Sequence, residues 1–220
     1  MSNCAFAPLR ENYSLMHNYD TVAWFYDRLS RMVFGSALIN AQLYLLNAIP
    51  ANAHILIAGG GTGWILEEIT KVHPTGLTIT YVDASAKMIA CSQKRNTGNN
   101  KVVFMISQVE AAPINNKFDI VVTPFLFDNL TEEAAQSAFS CLDKLLIPHG
   151  KWLYCDFQST GIYWQRTLLK TMYIFFRAFS GVKAKRLPLV ETYFSKRQYA
   201  VTAQKTFFKN FVVSYIYEKR

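Results

Sequence analysis

One stretch constrains the fold more than any other: I55-L-I-A-G-G-G-T-G-W-I-L-E-E-I69, an apolar run entering a glycine-rich turn and then a helical pattern. A short, continuous apolar run suits a strand buried on both faces of a parallel sheet. Glycines in the turn permit unusual backbone angles and close approach of a ligand to the main chain, and the helix that follows presents free N–H groups there. Gly59, Gly61 and Gly63 are thus positioned to contact a small polar ligand. Spacing then excludes two familiar phosphate-binding turns. G-x-G-x-x-G requires glycine at position 64 or 66, depending on where counting starts, and these are Trp64 and Leu66. The Walker A pattern fails because no Gly-Lys-Ser/Thr follows.

Around this stretch, short apolar runs alternate with helical patterns, which predicts βαβ units in a parallel sheet. Expected strands are His54–Ala58, Leu77–Asp83, Lys101–Ile106, Phe118–Thr123 and Lys151–Phe157, with helices near Trp64–Val72, Ala86–Thr97 and Glu132–Leu146. Pro148 and Gly150 predict a turn at Ile147–Gly150 before the fifth strand. At the N-terminus, Asp20 can cap a helix with Ala23, Trp24, Tyr26, Leu29, Met32 and Val33 at helical spacing, followed by Leu38–Ala48. Ile162–Phe179 carries an amphipathic stripe of Leu168, Leu169, Met172, Phe175, Phe176 and Phe179. The runs Val201–Phe208 and Phe211–Glu218, separated by Lys209-Asn210, predict a closing antiparallel hairpin with Asn210 at positive φ.

The glycine turn G59-G-G-T-G63 resembles the first motif of the class I S-adenosylmethionine-dependent methyltransferases, and the similarity continues in order across residues 13–158. Y81-V-D-A-S-A-K-M-I89 resembles the family's second strand, M105-I-S-Q-V-E-A-A112 the segment after its third, F118-D-I-V-V-T-P-F125 its fourth-strand motif, and L145-L-I-P-H-G-K-W-L153 the turn into its fifth. The resemblance implies an α/β, Rossmann-like fold: a seven-stranded, mostly parallel sheet with a C-terminal antiparallel hairpin and helices on both faces. It implies S-adenosylmethionine as cofactor, held by Gly59, Gly60, Gly61, Thr62 and Gly63, by Asp83 on the ribose with Ala84 and Met88 beside it, and by Gln108 and Val109 at the adenine. A carboxylate suits two adjacent hydroxyls because it accepts from both. The chain departs from the family at Ile57, where relatives carry an acid that helps hold the cofactor's amino group.

Y19-D-T-V-A-W-F-Y-D27 resembles the lid helix of small-molecule methyltransferases, including those of the quinone-biosynthesis type, which implies Tyr19 over the cofactor and Tyr26 toward the substrate. Aromatic residues packing a helix on the sheet would give the same pattern. T123-P-F-L-F-D128 departs from the Asp/Asn-Pro-Pro-Tyr motif of amino-group methyltransferases, since Thr123 lacks the carbonyl and only one proline is present. Phe125 and Asp128 are nonetheless candidates for the acceptor side, Asp128 as a base, together with Trp164.

The whole chain of 220 residues is expected to be one methyltransferase domain: residues 1–50 a helical lid, 51–160 the cofactor core, 161–200 a basic aromatic helical insertion, 201–220 the hairpin. A hydrophobic share of 51% against 17% charged residues supports a sizeable core. Scattered cysteines without C-x-x-C or Cys/His spacing predict reduced thiols and no metal site. The absence of a signal-like start or a transmembrane segment predicts a cytoplasmic location. Residues 161–220 hold 12 Lys and Arg against 2 acidic residues, whereas residues 1–160 hold 11 against 13. With Tyr163, Trp164, Met172 and Tyr173 near Lys183, Lys185 and Arg186, this region suits a small-molecule acceptor that is apolar and carries an anionic group. The same charge also permits an RNA or protein acceptor, although no nucleic-acid-binding module accompanies it, or docking on an anionic membrane. Ile57 leaves open a non-catalytic cofactor-binding protein.

Overall fold

The computed structural model describes residues 33–180, 184 and 186–220. The expected lid helix, with Tyr19, Trp24 and Tyr26, lies outside the described residues, as do Lys183 and Lys185. Helix α1 (Ala37–Leu46) is followed by β1 (His54–Ala58), α2 (Trp64–Val72), β2 (Thr75–Asp83), α3 (Ala86–Ser92), β3 (Asn99–Ile106) and β4 (Phe118–Pro124). A 3₁₀ turn (Phe127–Asn129) then leads to α4 (Glu132–Leu145), β5 (Leu146–Phe157), α5 (Tyr163–Ser180), α6 (Val190–Lys196), β6 (Ala200–Phe207) and β7 (Val212–Glu218).

The strands form one seven-stranded sheet in the order β3-β2-β1-β4-β5-β7-β6. Strands β1 to β5 are parallel, and β7 runs antiparallel to β5 and β6. This is the expected Rossmann-like α/β architecture. The chain steps outward from β1 in both directions, so the switch point of the sheet, where such folds bind ligands, falls between β1 and β4.

Alternation along the strands splits the core in two. Ile55 and Ile57 of β1 face Ile65, Leu66 and Ile69 of α2 and Ala41 and Leu45 of α1, while Leu56 and Ala58 face the side covered by α4 and α6. On that second side Phe139 stacks on Trp152 at 4.9 Å, and Phe194 stacks on Tyr217 at 3.8 Å. Trp152 Nε1 donates to Thr123 Oγ1 at 2.9 Å, with both side chains fully buried. Thr123→Val leaves that indole N–H without a partner, so it is expected to cost about 1–3 kcal/mol, read as a lower Tm with the fold unchanged by circular dichroism.

Local chemistry explains the helix ends. Ser85 caps α3 by accepting from Met88 N, and Thr131 caps α4 by accepting from Ala134 N. Glu132 and Glu133 in the first turn of α4 and Lys144 in its last complement the helix dipole. Three of the boundaries that differ from those expected have a visible cause. Helix α3 stops at Ser92 rather than Thr97, because Arg95 turns back to the glycine loop and Asn96 Oδ1 accepts from Gly98 N in a local turn. The residues expected to form a turn at Ile147–Gly150 belong to β5, which starts at Leu146. Positive φ at His149 and a register shift between the Phe118 and Ile120 pairings accommodate Pro148, while His149 N and Gly150 O bond to Lys219. Finally, the hairpin turn is longer than Lys209-Asn210: Phe208, Lys209 and Asn210 all have positive φ, the last as expected.

Helix α5 lays Leu168, Leu169 and Met172 on the first core. Among the described residues no helix is long and apolar enough to cross a membrane, and no cluster of side chains could hold a metal ion.

Candidate active site

The loop after β1 is shaped by its neighbours. Gly59 N donates to Val82 O at 2.9 Å, tying the end of β1 to the end of β2. A Cβ on Gly60 would lie 2.5 Å from Tyr81 Cζ, so this position accepts only hydrogen. Tyr81 is itself fixed: it is fully buried, it packs on Phe104 at 5.5 Å, and its hydroxyl donates to Gly61 O at 3.0 Å. Gly61 is the opposite case. Its φ of +63° favours glycine, yet a Cβ there would meet nothing within 4 Å, so its backbone borders open space. Arg95 braces the far side, donating from Nε to Thr62 O at 3.0 Å while its guanidinium pairs with Glu67. Gly63 closes the loop as the N-cap of α2, with its Cα against Ser92.

Asp83, the last residue of β2, faces this loop. Its Oδ2 accepts from Gly61 N and its Oδ1 from Ser85 N, both at 2.9 Å. Burial raises its carboxyl above the ordinary range, and the two N–H donors oppose that rise. Each carboxylate oxygen keeps a second lone pair, so the group can still accept from two neighbouring hydroxyls. Ala84 and Met88 are half-buried beside it. Ser107 N donates to Asp83 O at 3.0 Å, bringing the end of β3 alongside, where Gln108 is exposed and Val109 is buried in the second core.

A second group stands across the switch point, at the ends of β4 and β5. Leu126 packs against Gly59, joining the two groups. Phe125 has φ +54°, donates its N–H to Cys155 O at 2.8 Å, and sets its ring 5.4 Å from Phe157. From Phe157 the aromatic contacts run to Phe211 and on to Trp164, which is 38% exposed and sits against the hairpin turn with Lys209 Nζ 5.8 Å from its ring. Asp128 is buried, and beside it lies Asp156, a residue that sequence reasoning passed over. Asp156 Oδ2 accepts from Phe127 N and Asp128 N at 3.1 and 3.3 Å, and its Oδ1 accepts from Phe157 N at 2.8 Å. The available signal was an acid in the otherwise apolar run Trp152–Phe157 of a central strand.

Two candidates point away from the site. Thr123 is occupied by Trp152 within the core, which agrees with the departure from the amino-group methyltransferase motif. Ile57 is fully buried among apolar side chains, so it offers nothing polar to a ligand. The donor set therefore fits a nucleoside-bearing ligand at Gly61 and Asp83, without the acid that the family carries at position 57.

Residues 55–150 match the family model described as a methyltransferase domain. A malonyl-[acyl-carrier protein] O-methyltransferase of Halalkalibacterium halodurans is 31% identical over 116 residues, covering 50% of this chain and 41% of that protein. The non-reducing polyketide synthase ausA of Penicillium brasilianum is 26% identical over 147 residues, covering 60% of this chain and 6% of that protein. The chain spans less than half the length of the curated relatives it matches. Among solved structures, the Burkholderia thailandensis 1,6-didemethyltoxoflavin-N1-methyltransferase with bound 1,6-didemethyltoxoflavin and S-adenosylhomocysteine superposes with a TM-score of 0.65 at 16% identity, covering 98% of this chain and 93% of that one. Residues 55–150, which hold the glycine loop, Asp83 and β4, are thus similar to a methyltransferase domain, and the sheet has the fold of the solved methyltransferase neighbours.

Proposed function

We propose that the protein transfers a methyl group from S-adenosylmethionine to a small molecule. The contact between Asp83 and Gly61 carries this reading, because a carboxylate with unused lone pairs stands next to a backbone position bordered by open space. In this reading Gly59, Gly60, Gly61, Thr62 and Gly63 cup the methionine end and Asp83 accepts from the ribose hydroxyls. Ala84 and Met88 flank the ribose, Gln108 and Val109 border the adenine, and Tyr19 covers the donor. Phe125, Asp128, Trp164 and Tyr26 belong to the acceptor side. We assign the chain to one domain, with residues 1–50 as lid, 51–160 as cofactor core, 161–200 as the insertion that selects the acceptor, and 201–220 as the closing hairpin.

When bound, the donor supplies a methyl group already activated on a sulfonium sulfur. The chain's own work is then alignment and exclusion of water, for which positioning can contribute roughly 7–11 kcal/mol. The relative named for malonyl-[acyl-carrier protein] and the fold neighbour bound to 1,6-didemethyltoxoflavin support an acceptor group of small size. One observation favours a second reading, binding without turnover: buried Ile57 supplies no charge for the donor's ammonium group.

Calorimetric titration with S-adenosylhomocysteine, followed by incubation with S-adenosylmethionine and fractionated metabolites, tests both. Binding heat with acceptor-dependent release of S-adenosylhomocysteine is the expected result. Binding without release in any fraction would favour the second reading, and absence of heat from folded protein would end both.

A further inference from the structure

Among the described residues the Asp128–Asp156 pair has no counterpart. A third buried acid, Asp143, is answered by Lys219 at 3.2 Å, Arg197 at 3.7 Å and the Tyr199 hydroxyl at 2.8 Å. No cation among the described residues pairs with Asp128 or Asp156, although both are buried. The pair lines a small pocket of about 10 Å³ with Tyr154, Leu187 and Pro188, room for about one water. Tyr173 of α5 packs on Leu187, one wall of that pocket, is only 7% exposed, and has a buried hydroxyl with no hydrogen-bond partner among the described residues. The two carboxyl groups are the charges that act on that hydroxyl. Asp156 has its three N–H donors and Asp128 accepts from Asn129 Nδ2 at 2.7 Å, but neither carboxyl meets a cation among the described residues. Buried polar atoms are nearly always paired, so the unpartnered Tyr173 hydroxyl near two acids that share one pocket points to a ligand.

We propose that Asp128 and Asp156, with Tyr173 behind the Leu187 wall, form the acceptor subsite, and that it takes a neutral hydroxyl or amine and accepts the proton that the acceptor loses. This inference rests on the methyltransferase reading above. Transfer of a methyl group to an O–H or N–H breaks the S–C bond with its electrons kept on sulfur and forms an O–C or N–C bond from the acceptor's lone pair. One proton is left over, and the ionised member of the pair receives it. Burial pushes Asp128 well above the ordinary carboxylate range, with the charge of Asp156 adding to the rise. Burial likewise raises Asp156 to about 7, against the pull of its three N–H donors. A base that exchanges its proton near neutrality suits this task. The titratable groups facing the pair are Tyr154 and Cys155 of β5 and Tyr173 of α5, all held in their neutral forms by burial. A carboxylate acceptor is disfavoured, because its charge would meet the ionised pair without a cation to offset it. Entry requires α5 and the Leu187–Pro188 strap to lift.

The test uses the full chain labelled with ¹³C at the aspartate carboxyls, with S-adenosylhomocysteine present, and follows those resonances by NMR during titration with phenol, aniline, anisole or benzoate. Phenol or aniline is expected to shift both resonances saturably, with anisole and benzoate weaker by about tenfold or more, the loss that one charge-assisted hydrogen bond brings. Asp128→Asn is expected to weaken phenol and aniline by a similar factor. Tyr173→Phe is expected to weaken them several-fold without lowering the Tm of the free protein, because the hydroxyl it removes makes no bond there; a purely structural tyrosine would lower it. Equal response to benzoate or anisole, or an unchanged response in Asp128→Asn, overturns the inference while S-adenosylhomocysteine binding in the same sample preserves the methyltransferase reading. A sample that binds no S-adenosylhomocysteine overturns both.

Discussion

Gly60→Ala is expected to lower the Tm and to weaken S-adenosylhomocysteine binding by tenfold or more, roughly 1.4 kcal/mol at least. The added methyl would lie 2.5 Å from Tyr81 Cζ and 2.6 Å from Cε2. Tyr81 cannot yield, since its ring is buried against Phe104 and its hydroxyl holds Gly61 O. The loop must therefore shift, and overpacking of this kind costs about 1–3 kcal/mol. In a chain of this size each kcal/mol corresponds to roughly 2–4 °C of Tm. The shift also displaces Gly61, whose amide and carbonyl are both engaged, so loss of stability and loss of affinity come from one clash. Thermal denaturation together with calorimetry checks this. Tyr81→Phe is the comparison, since it removes one hydrogen bond without adding bulk and should cost about 1 kcal/mol. If Gly60→Ala binds S-adenosylhomocysteine like the parent protein, the loop is not where the cofactor sits.

Asp83→Ala is expected to abolish most of the stabilisation that S-adenosylhomocysteine confers. A ligand at 100 times its Kd stabilises a protein by about 2.7 kcal/mol. Two hydrogen bonds to a carboxylate, at about 1.5–3 kcal/mol each, account for an affinity loss of roughly 100-fold or more when the acceptor is removed. The free protein should suffer less. The variant leaves Gly61 N–H and Ser85 N–H without their acceptor, but it also removes a carboxyl whose burial is unfavourable to its charge. A Tm measured with and without ligand separates the two effects. A variant that keeps the full ligand-induced rise would mean that Asp83 serves only to tie β2 to the glycine loop.

These expectations depend on Ile57 remaining apolar. Its side chain lies in the first core with Ile55 and the α2 residues, so the donor's ammonium group must find its partners among backbone carbonyls or in segments beyond the described residues.

What was legible in the residues was whatever local physics decides. The apolar run of β1, the glycines at 59, 61 and 63, and Asp83 at the end of β2 together specify a strand, a turn and a carboxylate beside it, because neighbours in the chain impose these conformations on one another. The cap at Thr131 and the positive φ at Asn210 are of the same kind. What only the tertiary structure decided depends on partners far apart in sequence. Helix α3 ends early because Arg95 is drawn to Thr62, and β5 begins at Leu146 because His149 and Gly150 find Lys219. Thr123 turns inward because Trp152 waits 29 positions later. Asp128 and Asp156 come together only when the turn after β4 packs on β5, beside a pocket whose Leu187 wall also meets Tyr173 of α5: the cost of burying two acids appears once packing has removed the water, and no pattern along the chain records it.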